Sequence, residues 1–347
     1  MSHSIQHIAV IRLSAMGDVA MTVPVLRAFV KQYPDVKITM VSKPFFKPFF
    51  AGIPNVDFFA VDLNERHKGF FGLVRLYSDL KKLNVDAFAD LHQVLRTKIV
   101  RSLFALSGKK TASLDKMRAA KKALTRSENK IFKPLTKVFD NHAKVFSELG
   151  FPIDLTNPVF PPRQILDKSV LEITGEHHQK WIGVAPFAQH QAKVYPQDLM
   201  QETIDLLASD PNYKIFLFGG GASETQILKE LAKNHQNIIV VAGKINFEEE
   251  LQLISNLDLM LSMDSGNSHI AAMYGINTIT LWGATHPFTG FSPFNQPLEN
   301  ALVSDREKFP KLPTSVYGKK IVEGYEDAMR TIAPSEVIKK VGEVLRS

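Results

Sequence analysis

The sequence has 347 residues, of which 45% are hydrophobic and 22% are charged, as is usual for globular proteins. This length is sufficient for two domains that each bury a core of their own. The chain has no cysteine, which excludes disulfide scaffolds, thiolate zinc sites and cysteine nucleophiles. It shows no signal peptide and no apolar run long enough to cross a membrane, so we expect a cytoplasmic protein.

The net charge of +7 is concentrated in one segment. Residues 108–137 contain ten Lys or Arg and only two acidic residues, which gives this basic segment a net charge of +8. Such a segment attracts an anionic partner: a phosphorylated glycolipid, the anionic inner face of the cytoplasmic membrane, or nucleic acid. A solvated helix face is the alternative. Phe132 is its single aromatic residue, so we do not expect nucleic acid, whereas peripheral membrane contact stays open.

Predicted strands alternate with predicted helices in the first part of the chain. Apolar runs predict strands at 7–11, 36–41, 57–61 and 86–91, and helical spacing predicts helices at 19–29, 73–83 and 141–149. The basic segment is predicted to be poor in strands and helical with loops. Four phenylalanines between residues 45 and 50 have the spacing of helix packing, with insertion into a membrane interface as the alternative.

Prolines at 152, 158, 161 and 162 indicate a linker, after which the alternation restarts. Strands are predicted at 181–185, 214–218, 237–241, 258–263 and 277–282, and helices at 197–209, 223–233, 247–255, 268–274 and 335–346. Strands that alternate with helices over short connections form parallel sheets. The sequence therefore predicts two α/β domains, with a site in the cleft between them at the carboxyl ends of the strands.

The first candidate motif, Arg12 to Val19, lies where the first strand gives way to a helix. Gly17 is expected to adopt backbone angles that other residues avoid and so to let a ligand approach the main chain. Asp18 has two interpretations. It caps the helix, which is the common role of Asp at this position, or it is a general base that takes a proton from an acceptor hydroxyl.

The second candidate motif, Met263 to His269, follows an apolar strand and opens a helix. It combines a carboxylate, two hydroxyls, a glycine and a histidine. A helix start rich in Ser and Gly suits a diphosphate, whose oxygens accept N–H and O–H hydrogen bonds. An Asp/Ser cap followed by a buried histidine explains the same residues, and spacing alone does not separate the two interpretations.

Weaker signals accompany these motifs. Gly219 to Gly221 lie between a strand and a helix, but neither a P-loop nor a Gly-x-Gly-x-x-Gly pattern follows. Lys193 follows a predicted strand and is a candidate to neutralise a phosphate, although a lone Lys is more often solvated. No Asp-x-Asp motif of the kind that holds a metal–diphosphate complex is present, so positive groups would have to stabilise a leaving diphosphate.

Together the two motifs resemble the signatures of the ADP-heptose:lipopolysaccharide heptosyltransferases, glycosyltransferase family 9. The N-terminal match begins at Arg12 and reads RLSAMGDVAMTVPVLRAF, and the C-terminal match begins at Met263 and reads MDSGNSHIAAMYGINTITLWGATHP. Ser265 and Asn277 stand where Thr and Pro are usual, which bears on the sugar and the acceptor more than on the reaction type. The resemblance implies the GT-B fold, in which two Rossmann-like domains with parallel sheets face a central cleft.

The resemblance also implies the domain bounds and the site. Residues 1–163 would bind the acceptor, residues 175–325 the nucleotide sugar, and the helix in 326–347 would cross back to the N-terminal domain. Asp18 would be the general base. Lys193 would contact the donor diphosphate, Glu224 the ribose and Asp264 the heptose hydroxyls. The remaining donor residues would be Gly17, Ser265, Gly266 and His269, and the acceptor residues Arg66, Lys68 and Arg118. No metal and no cofactor are implied.

The function implied is an inverting, metal-independent glycosyltransferase. It would move a heptose or a related sugar from an ADP-sugar to a lipopolysaccharide or lipooligosaccharide core acceptor at the inner membrane surface. Two alternatives stay open: a nucleotide-sugar epimerase or hydrolase on the same architecture, which needs no acceptor, and a non-enzymatic nucleic-acid-binding protein. An inactive relative is disfavoured because Asp18, Asp264 and His269 are all present.

Overall fold

The computed structural model describes residues 5–346, which divide into two compact units. The first unit contains the chain up to Met117 together with Thr136–Phe160. The second unit contains Arg118–Leu135 and the chain from Pro161 onward. Residues 118–135 and 161–163 lie within the predicted N-terminal domain, residues 1–163, but belong to the second unit.

The first unit is built on a parallel five-stranded sheet with the order β3-β2-β1-β4-β5. The strands are β1 (His7–Ile11), β2 (Lys37–Ser42), β3 (Val56–Ala60), β4 (Ala87–Asp90) and β5 (Lys110–Ser113). The helices of the first unit are α1 (Met16–Ala20), α2 (Thr22–Gln32), α3 (Gly69–Lys81), α4 (Leu95–Leu106) and α6 (Val138–Leu149). Helix α5 (Arg118–Thr125) lies between α4 and α6 in the sequence but belongs to the second unit.

The central strand β1 is buried at every position, because helices cover both faces of a parallel sheet. Ile8 pairs with Ile38 of β2 on one side and with Ala87 of β4 on the other. Helix α2 packs on α6 through Phe29 and Phe146, whose ring centroids are 4.9 Å apart. The strand order changes direction between β1 and β4, and the carboxyl ends of these two strands mark a switch point where α/β proteins place their ligands.

The second unit contains a parallel six-stranded sheet with the order β11-β10-β9-β6-β7-β8. Its strands are β6 (Lys180–Ala185), β7 (Tyr213–Leu217), β8 (Ile238–Val240), β9 (Leu259–Met263), β10 (Asn277–Trp282) and β11 (Ala301–Val303). Its further helices are α7 (Lys168–Thr174), α8 (Gln197–Ala208), α9 (Gly221–Ala232), α10 (Phe247–Ser255), α11 (Gly266–Met273) and α12 (Pro334–Arg346). The switch point of this sheet lies between β6 and β9.

Local sequence explains where these elements begin. Helix α10 starts at a capping box: the Asn246 side chain accepts from the backbone N–H of Glu249, and the Glu249 carboxylate accepts from the backbone N–H of Asn246. Strand β10 becomes buried from Thr278 onward and is flanked by β9 and β11. The predicted bounds of α10 and β10 agree with the structure residue for residue.

The structure adds detail to two of the predictions made from the sequence. The basic segment contains a strand, β5, which pairs with β4 even though its sequence, KTAS, has no apolar run. In the C-terminal helix α12, Val337 and Val341 lie in the hydrophobic core of the second unit, and the predicted packing toward the N-terminal domain stays a prediction. The helix packs on α8 and on the strands β9 and β10.

The phenylalanine-rich stretch forms a 3-10 helix, Pro44–Phe50. Phe46, Phe49 and Phe50 are buried, and only Phe45 is exposed. The packing interpretation is therefore correct for three of the four rings. Among residues 5–346, no helix combines the length and the hydropathy that a membrane span requires.

Candidate active site

In the first unit, the Asp18 carboxylate is held by the turn that follows β1. Arg12 is 8% exposed and spans this turn: its Nε donates to the Ser14 carbonyl at 2.8 Å and its Nη1 donates to the Leu91 carbonyl at 2.6 Å. The third guanidinium nitrogen, Nη2, lies 2.5 Å from Asp18 Oδ2. Arg12 therefore ties the carboxylate to the carboxyl ends of both β1 and β4, and sequence reasoning gave it no role.

The helix-capping interpretation of Asp18 needs correction. Ala15 is the residue that precedes α1, and Asp18 lies three residues later, inside the first turn. Its carboxylate reaches back and accepts the Ala15 N–H at 3.2 Å, so it satisfies one backbone donor at the helix start. Gly17 is also helical rather than left-handed, so its predicted special backbone conformation is absent.

Two histidines lie close enough to Arg12 and Asp18 to sense their charges. His92 follows β4 at the switch point, and His142 is fully buried on α6. Burial, which is the largest cause, and the Arg12 charge together lower the pKa of each imidazole from 6.5 to about 3, although the Asp18 charge opposes the change. Both rings are therefore neutral near pH 7. Sequence reasoning missed them, although the position of His92 after a central strand was a usable signal.

In the second unit, three strand ends converge on the Asp264 carboxylate. Asp264 follows β9, Lys193 follows β6 and Thr285 follows β10, and these strands are neighbours in the sheet. Lys193 Nζ lies 2.9 Å from Asp264 Oδ2, and the Thr285 hydroxyl donates to the same oxygen at 2.8 Å. Asp264 is 5% exposed. The structure thus brings together two predicted donor residues and adds Thr285, which sequence reasoning did not select.

The aliphatic part of the Lys193 side chain packs closely against Gly318. Gly318 has a φ of +74°, and a Cβ built on it would lie 2.4 Å from both Cγ and Cδ of Lys193. The 3-10 turn Gln191–Lys193 is fixed as well, because the Ala192 carbonyl accepts the Ala284 N–H at 3.0 Å. Only glycine at position 318 combines the left-handed backbone with this close approach.

The start of α11 has the features of an anion-binding turn. Ser265 precedes the helix, but its side chain does not cap the helix; its hydroxyl instead shares a 3.0 Å hydrogen bond with that of Ser262. Ser268 donates to the Ser265 carbonyl at 2.7 Å, and His269 is 6% exposed one turn into the helix. The backbone N–H groups that begin at Gly266 are not capped by the Ser265 side chain, and such groups bind anions.

Glu224 lies in the first turn of α9, after the glycine run. Its Oε2 accepts the Gly220 N–H at 2.8 Å, so in this structure the carboxylate stabilises the start of its own helix. Gly221 has a φ of +75°, which explains why glycine occupies the turn.

The three predicted acceptor residues do not share one unit. Arg66 lies in the first unit and makes a bidentate ion pair with Asp79, with contacts between 2.7 and 2.9 Å. Lys68 precedes α3 and is exposed. Arg118 opens α5, is exposed, and belongs to the second unit. Within the described part of the chain, no group of three or more His, Cys, Asp or Glu side chains could hold a metal ion.

The family model of glycosyltransferase family 9 (heptosyltransferase) matches residues 73–321. The chain belongs to this family. The match contains Lys193, Glu224 and the Asp264 turn, whereas Asp18 and Arg12 precede it.

Relatives of the family 9 protein match it over most of its length. Lipopolysaccharide heptosyltransferase 1 of Campylobacter coli is 24% identical over 97% of this chain and 98% of its own. The lipopolysaccharide core heptosyltransferase OpsX of Haemophilus influenzae is 23% identical over 85% of this chain and 83% of its own.

Solved structures establish the fold of this family 9 member. The family 9 glycosyl transferase of Veillonella parvula superimposes with a TM-score of 0.75 at 21% identity, over 100% of this chain and 99% of its own. The E. coli ADP-heptose lps heptosyltransferase II gives a TM-score of 0.68 at 18% identity, over 98% of both chains. The chain has the GT-B fold, and each unit carries one of its two Rossmann-like sheets.

Proposed function

We propose that this glycosyltransferase transfers a heptose from ADP-heptose to the core of lipopolysaccharide or lipooligosaccharide, with inversion and without a metal. The observation that carries the proposal is the Lys193–Asp264–Thr285 group at the switch point of the second sheet, beside the start of α11. This group offers a cation, a carboxylate and helix N–H groups at the carboxyl edge of one sheet. A sugar diphosphate needs the same three: the cation and N–H groups for phosphate, and the carboxylate for hydroxyls.

The relatives support the choice of sugar and nucleotide. Four relatives that match over most of this chain are lipopolysaccharide heptosyltransferases. An E. coli heptosyltransferase of the same fold has been solved with ADP and with an ADP-2-deoxy-2-fluoro heptose. We extend these ligands to this chain as part of the proposal.

On the donor side, each side chain has a defined role. Lys193 contacts the diphosphate, and α11 binds its oxygens through the N–H groups from Gly266 onward, with Ser265 and His269 at the same turn. Asp264 uses Oδ2 for Lys193 and Thr285, which leaves Oδ1 to accept hydrogen bonds from the heptose hydroxyls. Glu224 would exchange its contact with the Gly220 N–H for the ribose hydroxyls.

The reaction needs one proton acceptor. The acceptor hydroxyl oxygen forms a bond to the anomeric carbon, the bond from that carbon to the phosphate oxygen breaks, and ADP leaves. Asp18 takes the hydroxyl proton, and Arg12 orients its carboxylate. Lys193 and the start of α11 stabilise the charge that develops on the diphosphate, in the place of a metal.

The acceptor side is proposed from charge. Arg66, Lys68 and Arg118 would bind an anionic glycolipid, although Arg66 would have to share its guanidinium with Asp79. Peripheral contact with an anionic membrane surface is part of the same proposal. Several cations of the basic segment already have internal partners: Lys110 donates to the Leu149 carbonyl and Lys130 to the carbonyls of Leu124 and Pro313.

The first experiment is a thermal-shift titration with ADP, UDP, GDP and CDP. A nucleotide at 100 times its Kd stabilises the folded protein by about 2.7 kcal/mol. We expect ADP alone to produce this shift. A selective UDP or GDP shift would overturn the assignment of the donor.

The second experiment measures ADP release from ADP-heptose with and without a lipooligosaccharide acceptor. Release that requires the acceptor supports transfer, and equal release without it indicates a hydrolase. The anomeric configuration of the product, read by NMR, tests inversion, and activity that persists in a chelator tests metal independence.

A further inference from the structure

The second unit contains a cavity that the proposed donor site does not use. Its volume is about 330 Å³, within the range of small-molecule sites. One wall is Phe132, which the segment 118–135 contributes. The other walls are the loop after β10, with His286 and Phe288, and the loop after β11, with Asp305 and Arg306.

Three rings that contact one another line part of this cavity, together with the apolar residues Pro287, Leu298, Ala301 and Val303. The ring centroid of Phe132 lies 5.0 Å from that of His286 and 4.8 Å from that of Phe288. His286 and Phe288 are themselves 4.6 Å apart, close to perpendicular. Rings in mutual contact are stiff and offer apolar surface at little entropic cost.

A guanidinium lies beside the rings. Arg306 is placed over the Phe132 ring, with its Cζ 3.4 Å from the centroid. Its Nε donates to the Leu312 carbonyl at 3.0 Å, which fixes the plane of the group. Among residues 5–346, no hydrogen bond or ion pair engages Nη1 or Nη2 of Arg306. A planar fork with two donating nitrogens binds carboxylate or phosphate in a bidentate manner.

His286 and Asp305 are the other titratable groups that line the cavity. His286 accepts the Phe288 N–H through Nδ1, so the neutral ring carries its proton on Nε2 and can donate there. Burial, followed by the Arg306 charge, lowers the pKa of His286 to about 4, which keeps the ring neutral. The Asp305 carboxylate also borders the cavity, but it accepts the backbone N–H groups of Glu307 and Lys308.

The cavity adjoins the proposed donor site along the chain. Thr285, which donates to Asp264, is directly followed by His286. Both the cavity and Asp264 lie at the carboxyl ends of adjacent strands of one sheet. A ligand in the cavity would therefore lie at the same edge of the sheet as a sugar bound at Asp264.

We propose that this cavity binds an anionic sugar residue of the acceptor, one that carries a carboxylate or a phosphate. Its apolar C–H face packs on Phe132 and Phe288, and its anion is bound by the Arg306 fork. The assignment to the acceptor rests on the proposed transferase function, whereas the preference of the cavity for an anionic sugar follows from its own residues.

Ligand-observed saturation-transfer NMR on the full chain, without donor, tests the preference. The probes are methyl glucuronide, glucose 6-phosphate, neutral methyl glucoside and inorganic phosphate. The variants are Arg306→Gln and Phe132→Leu, with Lys311→Gln as the matched control because Lys311 is an exposed cation outside the cavity. We expect at least one anionic sugar to bind, and Arg306→Gln to weaken it about 10- to 100-fold. Lys311→Gln should leave binding unchanged.

Three outcomes would overturn the proposal: no transfer to either anionic sugar, binding that survives Arg306→Gln, or equal binding of the neutral glucoside. Inorganic phosphate that competes as well as glucose 6-phosphate would reveal a simple anion site and reject the sugar. The ADP thermal shift of Arg306→Gln is recorded in parallel. A normal ADP shift shows that the variant is folded, and it separates failure of this cavity from failure of the donor assignment.

Discussion

Replacement of Gly318 by alanine should weaken nucleotide binding although this residue lies outside both sequence motifs. The new Cβ would be 2.4 Å from Cγ and Cδ of Lys193, whereas carbon atoms in contact are about 3.5–4.0 Å apart. Lys193 must therefore move by more than 1 Å, roughly, to restore that spacing. Its Nζ would then leave the 2.9 Å contact with Asp264 and its proposed position against the diphosphate.

The magnitude follows from the interactions lost. A hydrogen bond to a charged group contributes about 1.5–3 kcal/mol, so the Kd for ADP should rise about 10- to 150-fold. Alanine at a φ of +74° also costs about 1–2 kcal/mol of stability through backbone strain. The assay is isothermal titration calorimetry with ADP, together with urea unfolding of the same samples.

Gly324→Ala is the matched control. Its φ is +76°, but a Cβ there meets nothing within 4 Å, so it introduces the same backbone strain without the clash. We expect Gly324→Ala to lose stability and to keep its ADP affinity. If Gly318→Ala also keeps its ADP affinity, then Gly318 does not position Lys193 for the nucleotide, and the reasoning is refuted.

Three further substitutions test other parts of the site. Asp18→Asn should lower kcat about 100- to 10,000-fold in single-turnover transfer assays, whereas the thermal shift produced by ADP should be retained. Near-native turnover would refute the assignment of Asp18 as the general base. Thr285→Val should destabilise the fold by about 1.5–3 kcal/mol in urea, because Asp264 loses a buried donor, and an unchanged midpoint would contradict this. His142→Gln should flatten the pH dependence of stability. Because its folded pKa of about 3 lies below the unfolded 6.5, the unfolded chain binds the extra proton, and stability falls as the pH drops from 7 toward 3. The variant should lose about 2 kcal/mol less than the parent between pH 7 and pH 5, and equal losses would contradict the burial argument.

Sequence patterns located the elements whose signal is local. Strand β1 and helix α10 have a continuous apolar run and a capping box, and each was predicted with its observed start and end. Strand β5 was missed because it reads KTAS, and its strand conformation depends on its pairing with β4. Tertiary pairing of this kind overrides local preference and leaves no periodic trace.

The same distinction between local sequence signals and tertiary contacts applies to the candidate site. Lys193 and Asp264 are 71 residues apart and could be predicted singly, but their ion pair exists because β6 and β9 are neighbours in the sheet. Arg12, His92 and Gly318 escaped selection since their importance lies in what they touch. The residues of the cavity are even further apart in the sequence than Lys193 and Asp264. Phe132 joins the others only because the segment 118–135 packs in the second unit.

The path of the segment 118–135 has a consequence for dividing the protein into fragments. The chain passes between the units three times, after Met117, after Leu135 and after Phe160. An N-terminal fragment that ends at residue 160 would retain the segment 118–135. It would lose the Pro313 carbonyl, which accepts a hydrogen bond from Lys130, and Arg306, which covers the Phe132 ring. The complementary piece would lack a wall of its cavity. Neither half can be exchanged with that of a relative by one cut, so a chimaera must carry residues 118–135 with the C-terminal half.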